Sequence, residues 1–266
     1  MANEALQRPL QNIFRKESHE RFSSMKRALR FGFFWVMFPT LTCILFTWLV
    51  LDHYWKKLRG ANTRLAAHHV ATVWSRWIFR LTPGWRFVLE GRENLPAPGE
   101  ATVMVSNHAS AVDIWAVFMT ECQFRWLSKA EVFRIPVIGT AMRWAGYVPI
   151  KRGEKASYSV AMDQSSDWLR QGVSMIFFPE GTRSVDGKLR PFKSGAFRLA
   201  EKADVPILPI ALIGTNELLE KRSIVPKPAT VTIRILPPSR RQETETQDAF
   251  IERIREDIRR HAEKAL

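Results

Sequence analysis

The sequence predicts an α/β fold: a mixed, largely parallel sheet flanked by helices, preceded by an N-terminal membrane-associated helical hairpin. Three observations carry this. From residue 85 onward, short β-rich runs alternate with helical ones, the pattern of a layered α/β domain. Residues 31–51, FGFFWVMFPTLTCILFTWLVL, contain no charged side chain. Residues 61–81 place Leu65, Ala66, Val70, Val73, Trp74, Trp77, Ile78 and Leu81 on one helical stripe, with Arg64, Arg76 and Arg80 among them. The chain thus divides into a membrane-anchoring helical segment over 1–84 and an α/β domain over 85–266.

As a helix, the uncharged run would be about 31 Å long, enough to cross a bilayer core. Pro39 removes a helix hydrogen bond and favours a kink or break. A cleaved signal peptide fits poorly, because LVLDHYWKK offers no small-residue cleavage site. Both flanks are basic. Arg8, Arg15, Lys16, Arg21, Lys26, Arg27 and Arg30 precede the run, and Lys56, Lys57, Arg59 and Arg64 follow it. Such flanks favour the same cytosolic face. A hairpin dipping into one leaflet satisfies that, with 61–81 as its second arm, although the same periodicity reads equally well as an ordinary core-facing helix. A span with its N-terminus outside also keeps the following domain cytosolic. The expected location is the inner (cytoplasmic) membrane, with the active site facing the cytosol.

In the body, residues 85–91, 101–106, 124–128, 147–151, 173–178, 205–212 and 229–236 read as strands, from their β-branched and aromatic content. Residues 110–121, 154–171, 193–203 and about 246–265 read as helices. Residues 91–100 and 222–228 read as loops, from their Gly and Pro.

The 266 residues carry 40 Lys+Arg against 26 Asp+Glu, a net charge of +14. That excess implies an anionic partner: nucleic acid, an anionic membrane surface or a phosphorylated substrate. Basic residues are scattered rather than arrayed on a reading helix, and no RNA-binding aromatic motif occurs, so nucleic acid is not expected. Seven basic and three acidic residues fall in the first 30, beside the uncharged run, which suits an anionic bilayer. Two cysteines, Cys43 and Cys122, make no disulfide scaffold and no zinc site. A purely lipid-binding scaffold would account for charge and apolar run alike, but not for the side chains described next.

The sequence has no P-loop, no GxGxxG after a strand and no GxSxG elbow. Of six histidines, only His108 has a carboxylate five positions later, in Asn107-His108-Ala109-Ser110-Ala111-Val112-Asp113, after an apolar strand. On one ideal helix, positions five apart point about 140° away from each other. If the pair meets, His108 must lie in the turn before the helix, with Asp113 in its first turn. An Asp bonded to one imidazole nitrogen fixes the tautomer and leaves the other nitrogen as a base. A helix-capping Asn/His with a surface Asp reads equally well from this motif alone. A second polar set, Phe178-Pro179-Glu180-Gly181-Thr182-Arg183-Ser184, also follows a buried strand and includes an Arg fork suited to phosphate. Lys129 and Lys151-Arg152 place further cations at strand ends.

Together these segments resemble the glycerophospholipid acyltransferase family, in particular bacterial 1-acylglycerol-3-phosphate O-acyltransferases. Four motifs occur in order over roughly residues 85–215. They are NHASAVD (107–113), the block from Ser128 to Arg152, FPEGTRS with the following PFKSGAF (178–184, 191–197), and VPILPI (205–210). The resemblance implies transfer of an acyl chain from acyl-CoA or acyl carrier protein to the sn-2 hydroxyl of lysophosphatidic acid. It implies His108 as general base and Asp113 as its orienting partner, with no acyl-enzyme. It also implies that Lys129, Arg152, Glu180, Gly181, Thr182 and Arg183 hold the acceptor's phosphate or glycerol. Glu180 either holds the glycerol or braces Arg183. Neither a metal nor a cofactor is implied, only the acyl thioester as co-substrate.

Overall fold

The computed structural model describes residues 2–61, 63–151, 153–183, 188–219 and 224–263, with side chains from residue 24 onward. Two N-terminal helices, α1 (Ala2–Leu58) and α2 (Thr63–Leu81), lead into the body. There the order is β1 (Trp85–Glu90), β2 (Val103–Ser106), α3 (Asp113–Phe118), β3 (Phe124–Lys129), α4 (Ile138–Ala145), β4 (Val148–Ile150) and α5 (Lys155–Arg170). It continues with β5 (Ser174–Phe177), α6 (Gly195–Lys202), β6 (Ile207–Ile213), the single turn α7 (Thr215–Leu218), β7 (Ala229–Ile235) and α8 (Gln247–Glu263).

The seven strands form one sheet in the order β1-β7-β6-β2-β5-β3-β4. Every neighbouring pair is parallel except β6 and β7. Side-chain alternation along the strands feeds two apolar layers. Met104, Ile176, Leu208 and Ile210 join residues of α1, α2, α3 and α4 on one face. Val103, Val105, Met175 and Ile207 join residues of α5, α6 and α8 on the other. The N-terminal helices therefore share a core with the sheet.

Three expectations need correction. α1 runs through Pro39 without a break. Thr40 and Thr42 hydroxyls donate back to the carbonyls of Val36 and Phe38, both at 2.7 Å, and so satisfy carbonyls in that turn. Phe34 and Phe38 also pack on Trp85, Trp74 and Trp115, which ties the segment to the body. The helix expected over 110–121 is only Asp113–Phe118, because the N–H groups of Ala109 and Ser110 turn inward to Asp113. Residues 138–145, read as no element, form α4.

α1 and α2 pack on each other: Trp74 donates to Thr42 at 3.0 Å, and Leu49 and Ala67 line the same cavity. Over Ser24–Leu58, α1 is long and apolar enough to cross a membrane, and only 17% of its most apolar stretch is buried inside protein.

Candidate active site

The site lies where the carboxyl ends of β2, β5 and β3 meet, since these three strands are parallel neighbours. Open parallel sheets place their chemistry at this edge.

His108 sits in the turn between β2 and α3, and Asp113 is the first residue of α3. Their side chains meet, with His108 Nδ1 at 2.6 Å from Asp113 Oδ2. That one oxygen also accepts the backbone N–H groups of Ala109 at 2.8 Å and Ser110 at 2.9 Å. Asp113 is fully buried, and its Oδ1 has no hydrogen-bond partner among the described residues. The carboxylate thus shapes the turn and orients the imidazole together. With Nδ1–H donating to Asp113, Nε2 is the nitrogen able to take a proton. The His108 ring stacks on Phe178 at 4.3 Å.

Asn107 does not cap α3. Its amide donates to the carbonyl of Leu212 and accepts the Leu212 N–H, both at 2.8 Å, tying the turn to the end of β6.

Glu180, at 5% exposure, follows β5. Its Oε1 accepts the N–H of His108 at 2.7 Å, and its Oε2 accepts the N–H of Arg190 at 3.1 Å. Burial raises its pKa, while the N–H donors of Arg190 and His108, and the charges of His108 and Arg190, pull the other way. Gly181 takes φ +73, a left-handed conformation that few side chains adopt. A Cβ there would lie 2.9 Å from Lys193 Nζ. Lys193 N–H donates to the carbonyl of Pro179 at 3.0 Å, which folds the segment back over the turn.

The structure thus joins His108, Asp113 and Glu180 directly, with Gly181 in the same turn as Glu180. Thr182 and Arg183 follow it and are exposed. Lys129 ends β3 on the same edge, also exposed. Arg152 lies outside the described residues. Sequence reasoning missed the roles of Asn107, Phe178 and Lys193. All three stand inside or beside the quoted motifs, but only the register of β2, β5 and β6 reveals what they touch.

Ile114 and Trp115, the two residues after Asp113 in the chain, line an apolar cavity of about 220 Å³. Leu45 and Leu49 of α1, Val70 of α2 and Met142 of α4 form its other walls.

Known proteins resemble this chain in sequence and in fold. Residues 86–213 match the family model described as Acyltransferase. A 1-acyl-sn-glycerol-3-phosphate acyltransferase of Chlamydomonas reinhardtii is 39% identical over 181 residues, covering 66% of this chain and 54% of that protein. The chloroplastic 1-acyl-sn-glycerol-3-phosphate acyltransferase LPAT1 of Arabidopsis thaliana is 37% identical over 195 residues, covering 73% of this chain and 54% of that protein. The chain therefore spans about half the length of these curated relatives. The crystal structure of the 1-acyl-sn-glycerophosphate acyltransferase PlsC from Thermotoga maritima shares the fold. It has a TM-score of 0.76 and 23% identity, and the match covers 90% of this chain and 97% of that one. Residues 86–213 thus resemble an acyltransferase domain, and the motifs and the fold agree with that resemblance.

Proposed function

We propose that this chain moves a fatty acyl group from an acyl thioester, acyl-CoA or acyl carrier protein, to the sn-2 hydroxyl of 1-acylglycerol 3-phosphate, forming phosphatidic acid. The observation that carries this reading is the buried Asp113 fixing His108 Nδ1 at 2.6 Å at the carboxyl edge of the sheet. The named activity of the curated relatives supports it.

The acceptor hydroxyl gives its proton to His108 Nε2 as its oxygen bonds to the thioester carbonyl carbon. Asp113 holds the imidazolium that forms. The tetrahedral intermediate then expels the thiolate, which takes the proton back from Nε2. No bond to the protein forms. A base so placed contributes roughly 10²- to 10⁴-fold. Lys129, Arg183 and Lys193 supply cations for the acceptor's phosphate, with Arg183 able to bind it bidentately. Glu180 acts by holding the His108 turn. The apolar cavity accommodates an acyl chain, since its walls offer a hydrocarbon surface and little polar competition.

The apolar α1, with its basic flanks, anchors the domain at an anionic membrane surface. We place the enzyme on the inner (cytoplasmic) membrane with the site facing the cytosol, where both thioesters are met. A radiolabelled acyl-transfer assay tests the proposal, using both donor types against lysophosphatidic acid, glycerol 3-phosphate, other lysophospholipids and an ornithine-lipid acceptor. Labelled phosphatidic acid as the main product is expected. A dominant product from another acceptor would overturn the substrate assignment, and no transfer from either donor would overturn the activity.

A further inference from the structure

Between the 3₁₀ turn Ala130–Arg134 and α4 lie Ile135, Pro136 and Val137, and Ile138 opens α4. Val137 has φ +66 and ψ −65, the signature of a strained γ-turn, and the Ile138 N–H donates to the Pro136 carbonyl at 2.7 Å to close it. For a β-branched residue this conformation is a true outlier. The surroundings enforce it. Gly139 N–H donates to the Ile135 carbonyl at 2.8 Å, and a Cβ on Gly139 would fall 2.1 Å from the Phe133 carbonyl oxygen. The Arg143 guanidinium donates to that same oxygen.

The strain has a spatial result. Ile135 and Ile138 stand 45% and 41% exposed, with exposed Pro136 between them. Val137 and Ile138 also line the apolar cavity, so the cavity reaches the surface at this loop. Core packing gives no reason to hold two isoleucines outward at a cost in backbone energy.

The neighbouring surface identifies what covers them. α4 docks on the C-terminal part of α1 through Trp144, which stacks on His53 at 4.0 Å and on Phe46 at 6.4 Å. On that part of α1, Trp48, Leu51, Tyr54 and Trp55 are exposed. Exposed apolar side chains thus stand on α1 and on the loop that leads into α4, the helix docked on α1, and Arg134 stands exposed beside the loop. Apolar side chains with an adjacent cation suit the boundary between headgroups and acyl chains.

We propose that the Ile135–Ile138 loop is the catalytic domain's own contact with the bilayer, seated in the interface at the mouth of the cavity. An acyl chain passes there between lipid and protein. The loop's contact with lipid stands on its geometry; the passage of an acyl chain rests on the function proposed above. Two measurements separate them.

In the full chain with Cys43→Ser and Cys122→Ala, a bimane label is placed at Ile135→Cys. A second protein carries it at Gln171→Cys, an exposed site at the end of α5. Both are reconstituted in phosphatidylcholine–phosphatidylglycerol vesicles bearing acyl-chain nitroxides. Quenching several-fold stronger at 135 than at 171 is expected, and equal quenching overturns the contact. This readout needs no enzymatic activity. Separately, Ile135→Asp should lower transfer to a long-chain acceptor in vesicles roughly tenfold, while leaving a short-chain, water-soluble acceptor unaffected. Unchanged turnover in vesicles, or equal loss on both acceptors, overturns the proposal. So does protection of residue 135 from an aqueous thiol reagent by acyl carrier protein but not by vesicles. Absence of all transfer in the parent chain would instead strike the proposed function and leave the quenching result to decide the contact.

Discussion

The carboxylate of Glu180 accepts the backbone N–H of His108 at 2.7 Å, so the turn after β5 holds the turn after β2 in place. Its second oxygen reaches the N–H of Arg190 at 3.1 Å, which makes one buried side chain the clasp between three segments of the site.

Glu180→Gln leaves one acceptor oxygen for two N–H donors, and the amide nitrogen opposes the other. One buried bond is lost at a cost of about 1–3 kcal/mol. The expected result is a lower melting temperature and a fall in kcat, with a small change in KM for lysophosphatidic acid. A rise confined to KM would make Glu180 an acceptor-binding residue instead. Steady-state kinetics beside a thermal melt distinguish the two.

Asp113→Asn tests the dyad with little structural damage. Among the described residues, three donors use one oxygen of Asp113 and none uses the other, so an asparagine oxygen can keep all three while its amide takes the place of Oδ1. What disappears is the negative charge behind the imidazolium. kcat should fall roughly 10²- to 10⁴-fold with the fold retained by circular dichroism. Wild-type turnover in a folded Asp113→Asn protein would remove Asp113 from the mechanism.

The cations divide by what they touch. Arg183→Ala and Lys193→Ala should each raise KM for lysophosphatidic acid roughly 10- to 100-fold, the worth of one charge-assisted bond to phosphate. Neither should alter whatever transfer to monoacylglycerol the wild type supports, since that acceptor lacks the phosphate. Equal losses on both acceptors would argue for a structural role.

His68, on α2, carries a separate pH signature. It is buried, with Nε2 at 3.1 Å from the Cys122 carbonyl and Nδ1 at 3.1 Å from the Tyr147 hydroxyl, partners that suit the neutral ring. Burial, reinforced by the nearby Arg125 charge, lowers its pKa from 6.5 to about 3. Between these values the unfolded chain binds the proton and the folded one does not, so stability falls as pH drops below 6.5 and is insensitive to this group above it. Relative to His68→Gln, the wild type should lose stability on the order of 1–2 kcal/mol between pH 6.5 and about pH 5. Parallel stability curves for the two proteins would contradict this.

Much of this was legible in the chain itself. The seven strands follow from β-branched runs bounded by turns, and the five-residue spacing from His108 to Asp113 puts a turn before a helix if the two side chains meet. What was not legible depends on distant pairing. Glu180 and His108 are 72 positions apart, and only the parallel register of β2 and β5 joins them. Asn107 finds Leu212 across 105 positions. Pro39 misled because local helix rules carry no knowledge of the aromatic packing that spans it. α4 was missed because its only turn of sequence signal, a Pro and a Gly around Val137, reads as a loop.

The central claim is that His108 removes the proton from the acceptor hydroxyl. Its most direct test is acyl transfer to lysophosphatidic acid by wild type and His108→Ala, with acyl-CoA and with acyl carrier protein as donors and melting temperatures measured alongside. A loss of roughly 10²- to 10⁴-fold with either donor, at an essentially unchanged melting temperature, is the predicted result. Turnover within tenfold of wild type in the folded variant would contradict it.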